Sequence, residues 1–490
     1  MPQRPTRRTF VKSVAAAGAA MPVVMPHLAR AASANGKLNC AFVGSGGRAA
    51  AHTGKMHQMG QNCVAFADVD KGRWGGVLGK KGWESAKGYT DWRKIFENHA
   101  NEVDVVFVAT PDHTHFAPSM TAISMDIHCY TEKPLTWSVR EAQLLAEAYL
   151  KNPKVVTQMG NQGHAGNGWR VAYEFYKAGA VGDITEFHTW TNRPVWPQGW
   201  GRPAGTATPD DNIDWDAWVG AAPMRPYCKS WTEAPFAKNG GWKDKVYHPF
   251  AWRGVRDFGA GALGDMACHT TDGIYSLMDP SYPTSIEPVG VTPPVKDDDS
   301  YQVGGIYKWE YPAKDGKPPF KVFWYEGYKK IGDDGKFHNS DAYMPDKPAE
   351  LGDRDLPRTG NIVVGTKGKM LVTGDYWNSA RLIPEEKMKE FMGGLPNHKL
   401  PELLERSPGH HEEFVMACKG EKPREFSRSN FAYAGPMTAK IQLGNVVARV
   451  GKRIECDPKT GKITNMPEAN DLLWREPRKG WGPLKSIVNI

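Results

Sequence analysis

From Lys37 the chain alternates short apolar runs with longer amphipathic ones. LNCAFV is an apolar run of strand length that ends in glycines and passes into a helix-like segment reaching His57, and Cys63 to Ala67 is a second apolar strand. The pattern continues as strand Val103 to Ala109, helix Phe116 to Met125, strand Ile127 to Thr131, helix Val139 to Leu150 and strand Lys154 to Gln158. Alternating strands and helices predict a parallel, doubly wound sheet that binds its ligand at the carboxyl ends of the strands. From about residue 184 the pattern changes. Ile184 to Trp190, Tyr301 to Trp309, Phe320 to Tyr325 and Ile362 to Val364 read as strands, and Pro408 to Ala417 and Tyr433 to Val450 as helices. The predicted division is a nucleotide-binding domain over 35–160 and a second domain over 161–490. Between Trp190 and Trp252 lie eight of the eighteen tryptophans, among many prolines and glycines. Loops of this length, at about 190–258, are too long for simple connections and point to function or an interface.

Composition narrows the classes. The 490 residues carry 62 Lys+Arg against 54 Asp+Glu and are 40% apolar, which fits a folded chain of two or three domains. The formal charge of +8 is concentrated at the start, where Arg4, Arg7, Arg8, Lys12 and Arg30 precede any acidic residue; without residues 1–34 it is +3. No basic tract interleaved with aromatics exists, so nucleic-acid binding is set aside. No apolar stretch reaches the roughly 18 residues of a membrane span. Residues 1–34 read as an address: Arg7-Arg8 with Phe10, an Ala-rich run from Ser13 to Met25, then Ala29-Arg30-Ala31 and Ala32-Ser33-Ala34 as candidate cleavage sites. The paired arginines resemble a twin-arginine signal, which implies export of an already folded protein to the periplasm. The seven cysteines show no C-x-x-C pair and no metal-type spacing, so no structural metal is expected. Asp297-Asp298-Asp299 reads as a solvated turn.

The glycines Gly44, Gly46 and Gly47, with Ala49 in the third small position, match the dinucleotide fingerprint G-x-G-x-x-G/A. Gly44 permits the tight turn, Gly46 lets backbone approach a pyrophosphate, and Ala49 allows close helix packing. Asp68 and Asp70 end the second strand about twenty residues on, where a carboxylate accepts hydrogen bonds from a ribose diol and repels a 2′-phosphate. NAD is therefore favoured, with NADP left open by Lys71 and Arg73. Two further strand ends carry chemistry: the polar loop Thr110-Pro111-Asp112-His113-Thr114-His115, and Glu132-Lys133-Pro134, where the proline biases Lys133 toward an extended backbone. Asp265 and His269 are four apart and share a helix face, and Asp272 continues that stripe.

GSGGRA, the acidic strand end, TPDHTH, EKP and the stretch Gly259 to Asp272 together resemble the glucose-fructose oxidoreductase and inositol dehydrogenase family, written Gfo/Idh/MocA. Gly160-Asn161-Gln162-Gly163-His164 and the tail ITNMPEANDLLWREPRKGW resemble its exported bacterial members. The resemblance implies an N-terminal Rossmann domain and a C-terminal domain with an open, mostly antiparallel sheet, through which such proteins often form homo-oligomers. It implies NAD contacts from Gly44, Ser45, Gly46, Gly47, Arg48, Asp68, Thr110, Pro111, His113, His115, Glu132 and Lys133. His269 would accept the hydroxyl proton, Asp265 would orient neighbouring hydroxyls, and Lys133 would hydrogen-bond the reacting oxygen. Asn161, Gln162, Arg193, Trp196, Trp200, His248 and Arg253 are candidate contacts to a small carbohydrate or polyol. An exported enzyme has no cytosolic cofactor pool, so the nucleotide would be non-dissociating. That condition fits a two-substrate sugar oxidoreductase first, an NAD-dependent glycoside hydrolase working by oxidation, elimination and reduction second, and a non-catalytic sugar-binding protein third.

Overall fold

The computed structural model describes residues 36–490 except 233–234, 239–240, 293–298, 328, 333 and 335. The expected export signal and the Asp297-Asp298 part of the acidic run lie outside the described residues.

Six strands form the first sheet: β1 (Asn39–Val43), β2 (Asn62–Ala67), β3 (Lys87–Tyr89), β4 (Val105–Val108), β5 (His128–Thr131) and β6 (Thr157–Met159). Their order is β3-β2-β1-β4-β5-β6 and every pairing is parallel. All four residues of β4 are buried, as a central strand covered on both faces requires. The main helices here are α1 (Ala49–Gln58), α2 (Arg93–His99), α3 (Phe116–Ser124) and α4 (Val139–Lys151). Ser138 and Glu141 fix the start of α4 with a reciprocal capping box. The last strand begins three residues later than the sequence suggests, because Asn152 turns the chain first by accepting from the Lys154 amide (3.1 Å).

The second sheet has eight strands in the order β15-β14-β13-β7-β10-β9-β8-β16. These are β7 (Ile184–Trp190), β8 (Ser285–Val291), β9 (Gly305–Tyr311), β10 (Phe320–Glu326), β13 (Gly360–Gly365), β14 (Gly368–Thr373), β15 (Ser379–Ile383) and β16 (Ile454–Glu455), with β11 (Lys329–Ile331) and β12 (Phe337–Asn339) forming a separate hairpin. Only β7 and β10 run parallel, so the sheet is mixed and mostly antiparallel. Its helices are α5 (Gly168–Lys177), α6 (Trp215–Val219), α7 (Gly261–Thr270), α8 (Asp272–Met278), α9 (Glu385–Gly393), α10 (His410–Cys418) and α11 (Phe431–Val450). The alternating burial of β9 turns Tyr307, Trp309 and Tyr311 inward, where Trp309 donates to Lys440 of α11 (3.1 Å).

A boundary at residue 160 separates the two sheets but not the packing. Phe414 and Val415 of α10 join Phe42, Phe107 and Tyr130 in the core of the first domain. The tail returns as well: Trp474 meets Phe116 edge-on (5.7 Å), and the Arg93 guanidinium lies 4.0 Å over Trp481. Helix α11 joins the halves by packing on α4 and α7. Gly435 makes the first contact possible, since a Cβ there would stand 2.7 Å from the Ala142 carbonyl oxygen and 2.7 Å from the Ala146 Cβ. Gly435→Leu is expected to lower stability by about 1–3 kcal/mol through overpacking, read from chemical denaturation.

Candidate active site

The carboxyl ends of β1, β2, β4 and β5 and the face of α7 open into one cavity of about 570 Å³. At one end is the glycine turn. Gly44 has φ +94°, and a Cβ there would come 2.7 Å from the Ala109 carbonyl oxygen. No side chain caps α1; its first amides donate back into the turn, Ala49 to the Gly46 carbonyl (3.0 Å), Ala50 to that of Gly47 (3.3 Å) and Ala51 to that of Arg48 (3.0 Å). Asp68 is engaged by the turn itself: its Oδ2 takes hydrogen bonds from the Ser45 amide (2.8 Å), Ser45 Oγ (2.9 Å) and the Gly46 amide (3.2 Å). The carboxylate thus sets the shape of the turn, and Ser45 acts through it. Arg73 covers Gly46, where a Cβ would collide with its guanidinium, and donates to Asp70 Oδ2 (3.0 Å).

At the other end, Glu132 is buried and receives Arg48 Nε (2.8 Å) and His52 Nε2 (2.9 Å), with the Lys133 amide donating to its second oxygen (3.1 Å). Burial alone would raise the Glu132 carboxyl, but His52 and Arg48 hold it well below the usual carboxylate range. Lys133 Nζ donates to Asp265 Oδ1 and to the Asp265 carbonyl, both at 2.7 Å. Burial disfavours that ammonium, yet Asp265 outweighs it and keeps the lysine charged. Burial would likewise raise Asp265, and Lys133 with Arg253 (Nε to Oδ1, 3.1 Å) holds it below the ordinary value. Asp265 Oδ1 is therefore committed to two cations, so this residue aims Lys133 at least as much as it can orient a hydroxyl.

His269 stands one helical turn beyond Asp265 on the cavity wall, edge-on to Tyr376 (ring centroids 4.7 Å). Its Nδ1 is buried without a hydrogen-bond partner. Burial, and then the Lys133 charge, lowers its pKa to about 3, so the imidazole is neutral through the neutral range. Any turnover that needs a neutral His269 should accordingly show no acid limb near pH 6.5 from this group, because protonation begins only as pH approaches 3; kcat/KM measured from pH 5 to 8 checks this.

Several expected contacts stand elsewhere. His113 is bound through its ring nitrogens to the carbonyls of Phe258 and Trp218 (3.1 Å each), and His115 to those of Pro134 (2.8 Å) and Thr110 (2.9 Å). Both are buried fasteners of backbone and do not line the cavity. Asn161 is fully buried; it donates to Asp272 (3.0 Å) and accepts from Ser429 (2.5 Å). Asp272 does not continue the stripe of Asp265 and His269, since α7 ends at Thr270 and its carboxylate collects His164 (3.0 Å), Asn161 and Tyr433 (2.7 Å) behind the cavity. His248 does line the cavity, at its glycine-turn end, where it faces Asp70 (3.2 Å), whereas Trp200 packs on Phe236 (5.1 Å) in the loop core. Gly44, Gly46, Gly47, Arg48, Thr110, Pro111, Gln162, Arg193, Trp196 and Arg253 do line the cavity. Residues not anticipated are Tyr376, which accepts from Gln162 (3.3 Å), and Asp112, whose burial pushes its carboxyl up to about 8 while its Oδ2 accepts from the Ala260 amide (2.9 Å). Asp112 sits inside the polar loop and was open to notice; Tyr376 follows β14 in an ordinary turn, and nothing local marks it.

The class follows from the first domain. Residues 38–159 match the family described as oxidoreductase family, NAD-binding Rossmann fold, Gfo/Idh/MocA. The buried, unpartnered Thr110 Oγ1 and Gln162 Oε1, with Gly44, Gly46 and Gly47 lining the same cavity, fit a dinucleotide lying from the glycine turn toward His269. Among individual proteins, the chain is 29% identical over 155 residues to inositol 2-dehydrogenase of Rubrobacter xylanophilus, which is 30% of this chain and 42% of that one. The match thus spans less than half the length of such curated relatives. The WlbA dehydrogenase from Bordetella pertussis, solved with NADH and UDP-GlcNAcA, superposes with a TM-score of 0.54 at 13% identity over 86% of this chain and 99% of that one. An aldose-aldose oxidoreductase from Caulobacter crescentus, complexed with glycerol, gives 0.51 at 14% identity over 86% and 99%. At these identities the likeness establishes the two-domain fold.

Proposed function

We propose that the protein is an oxidoreductase that interconverts a secondary hydroxyl and a ketone on a sugar, glycoside or polyol, using NAD that stays bound through turnover. The convergence of Lys133, Asp265 and His269 on a cavity that begins at the glycine turn carries this reading. When bound, the nicotinamide supplies the hydride acceptor and donor. The neutral His269 imidazole accepts the hydroxyl proton as hydride leaves the same carbon. The Lys133 ammonium, aimed by Asp265, stabilises negative charge developing on that oxygen. Trp196, Phe250 and Trp252 line the cavity and offer ring faces suited to the apolar faces of a sugar.

The paired arginines of the first residues and the wish for a retained cofactor belong together: we place the protein in the periplasm, exported by the twin-arginine route, as a homo-oligomer. The test is single-turnover spectroscopy of the protein as purified. Addition of a sugar or polyol is expected to produce the absorbance of reduced nicotinamide, which a second carbonyl compound then removes. No spectral change with any polyol or aldose, on protein shown to hold nucleotide, contradicts the reading. An aryl glycoside that releases its phenol without an acceptor assigns the site to glycoside cleavage instead.

A further inference from the structure

Part of the long tryptophan-rich segment lies against the nucleotide end of the cavity. Asp70, just beyond β2, forms an antiparallel bridge with Ile213. Around it the Lys71 amide donates to the Asn212 carbonyl (2.9 Å) and the Asp214 amide to the Val69 carbonyl (2.9 Å). The Asp70 carboxylate gathers side chains from two separate parts of the segment: Asn212 Nδ2 on Oδ1 (2.5 Å) and His248 Nε2 on Oδ2 (3.2 Å). On its own side it takes the Gly72 amide (2.9 Å) and Arg73 Nε (3.0 Å). Ala217, Trp218 and His248 line the cavity together with Asp68, Val69, Thr90 and Trp92. The far side of the arm is fastened too, with His113 on the Trp218 carbonyl (3.1 Å) and Arg478 on the Gly220 carbonyl (2.9 Å).

The carboxyl end of β2 is where a Rossmann domain meets the adenosine ribose. Resting on the dinucleotide reading above, we infer that the arm Asn212–Trp218 together with His248 is a clasp over the adenosine half of the nucleotide, with Asp70 as its latch, so that the chain itself retains the cofactor. A nucleotide under this arm leaves only when the latch opens, and enters only then. Asp70 is thus a positioning residue, acting through the arm.

The experiment follows exchange of nucleotide on the holoprotein against the fluorescent etheno analogue of NAD, and association of that analogue with nucleotide-free protein. Asn212→Ala, Asp70→Asn and Asn212→Ala with His248→Gln are compared with the parent, with melting temperatures of the nucleotide-free forms as the folding control. Each charge-assisted hydrogen bond lost is expected to raise both dissociation and association roughly tenfold. A rise in both rates is the signature of an opened clasp. Exchange within twofold of the parent in the double variant overturns the inference, as does faster dissociation with unchanged association, which marks a mere contact. Parent protein that binds no nucleotide at all removes the dinucleotide reading itself, and is distinguished by that.

Discussion

Lys133→Met is expected to lower kcat by about 10³-fold while the protein still binds nucleotide, because on the proposed function it deletes the ammonium, held by Asp265, that stabilises charge on the reacting oxygen, and removes little of the apolar stem. Asp265 keeps Arg253 as a partner (3.1 Å), so the buried carboxylate is not left without a cation. The more diagnostic consequence concerns pH. After burial, the Lys133 charge is the largest influence depressing His269, so its removal raises the imidazole pKa from about 3 toward the ordinary histidine value. The residual activity should then acquire an acid limb at higher pH than the parent shows. A variant that loses activity with the limb unmoved would mean that Lys133 and His269 do not act on the same oxygen.

The second large effect is on stability. Glu132→Ala strands Arg48 and the buried His52 around an emptied site, and removing one partner of a buried ionic set costs about 3–5 kcal/mol. Arg48 is partly exposed at 39% and can turn to water, which places the expectation at the lower end, near 3 kcal/mol. The pH dependence has a definite sign. A carboxyl whose folded pKa is depressed stabilises above its unfolded value of about 4.3, and that contribution fades as pH falls toward the folded value. The gap between variant and parent in urea denaturation should therefore be full at pH 7 and narrow below about pH 4.

The first domain was legible because central parallel strands are apolar throughout and announce themselves, as in β4, and because the glycine turn, Asp68 and Glu132-Lys133 occupy strand ends whose position follows from the fold. The second sheet was legible where alternation is clean, as in β7 and β9, and hidden where it is not. Strand β8 contains Pro288, which argues against a strand, and the register with β9 shifts between Pro288 and Gly290 to accommodate it. At the site, residue type and spacing located Lys133, Asp265 and His269 but not the direction of their neighbours. Asn161 turns behind the cavity to Asp272 while Gln162 lines it, although the two are adjacent. His113 and His115 look like ligands in the sequence and prove to be fasteners, because the carbonyls that hold them come from Phe258, Trp218, Pro134 and Thr110, most of them distant along the chain. Tyr376 and the Asp70 latch depend wholly on contacts between remote segments.

The most direct measurement is to purify the protein, denature it without adding nucleotide, and assay the supernatant for NAD(H) and NADP(H) per mole of protein. Near-stoichiometric NAD(H) is expected. Protein that is empty and also fails to bind added nucleotide would contradict it.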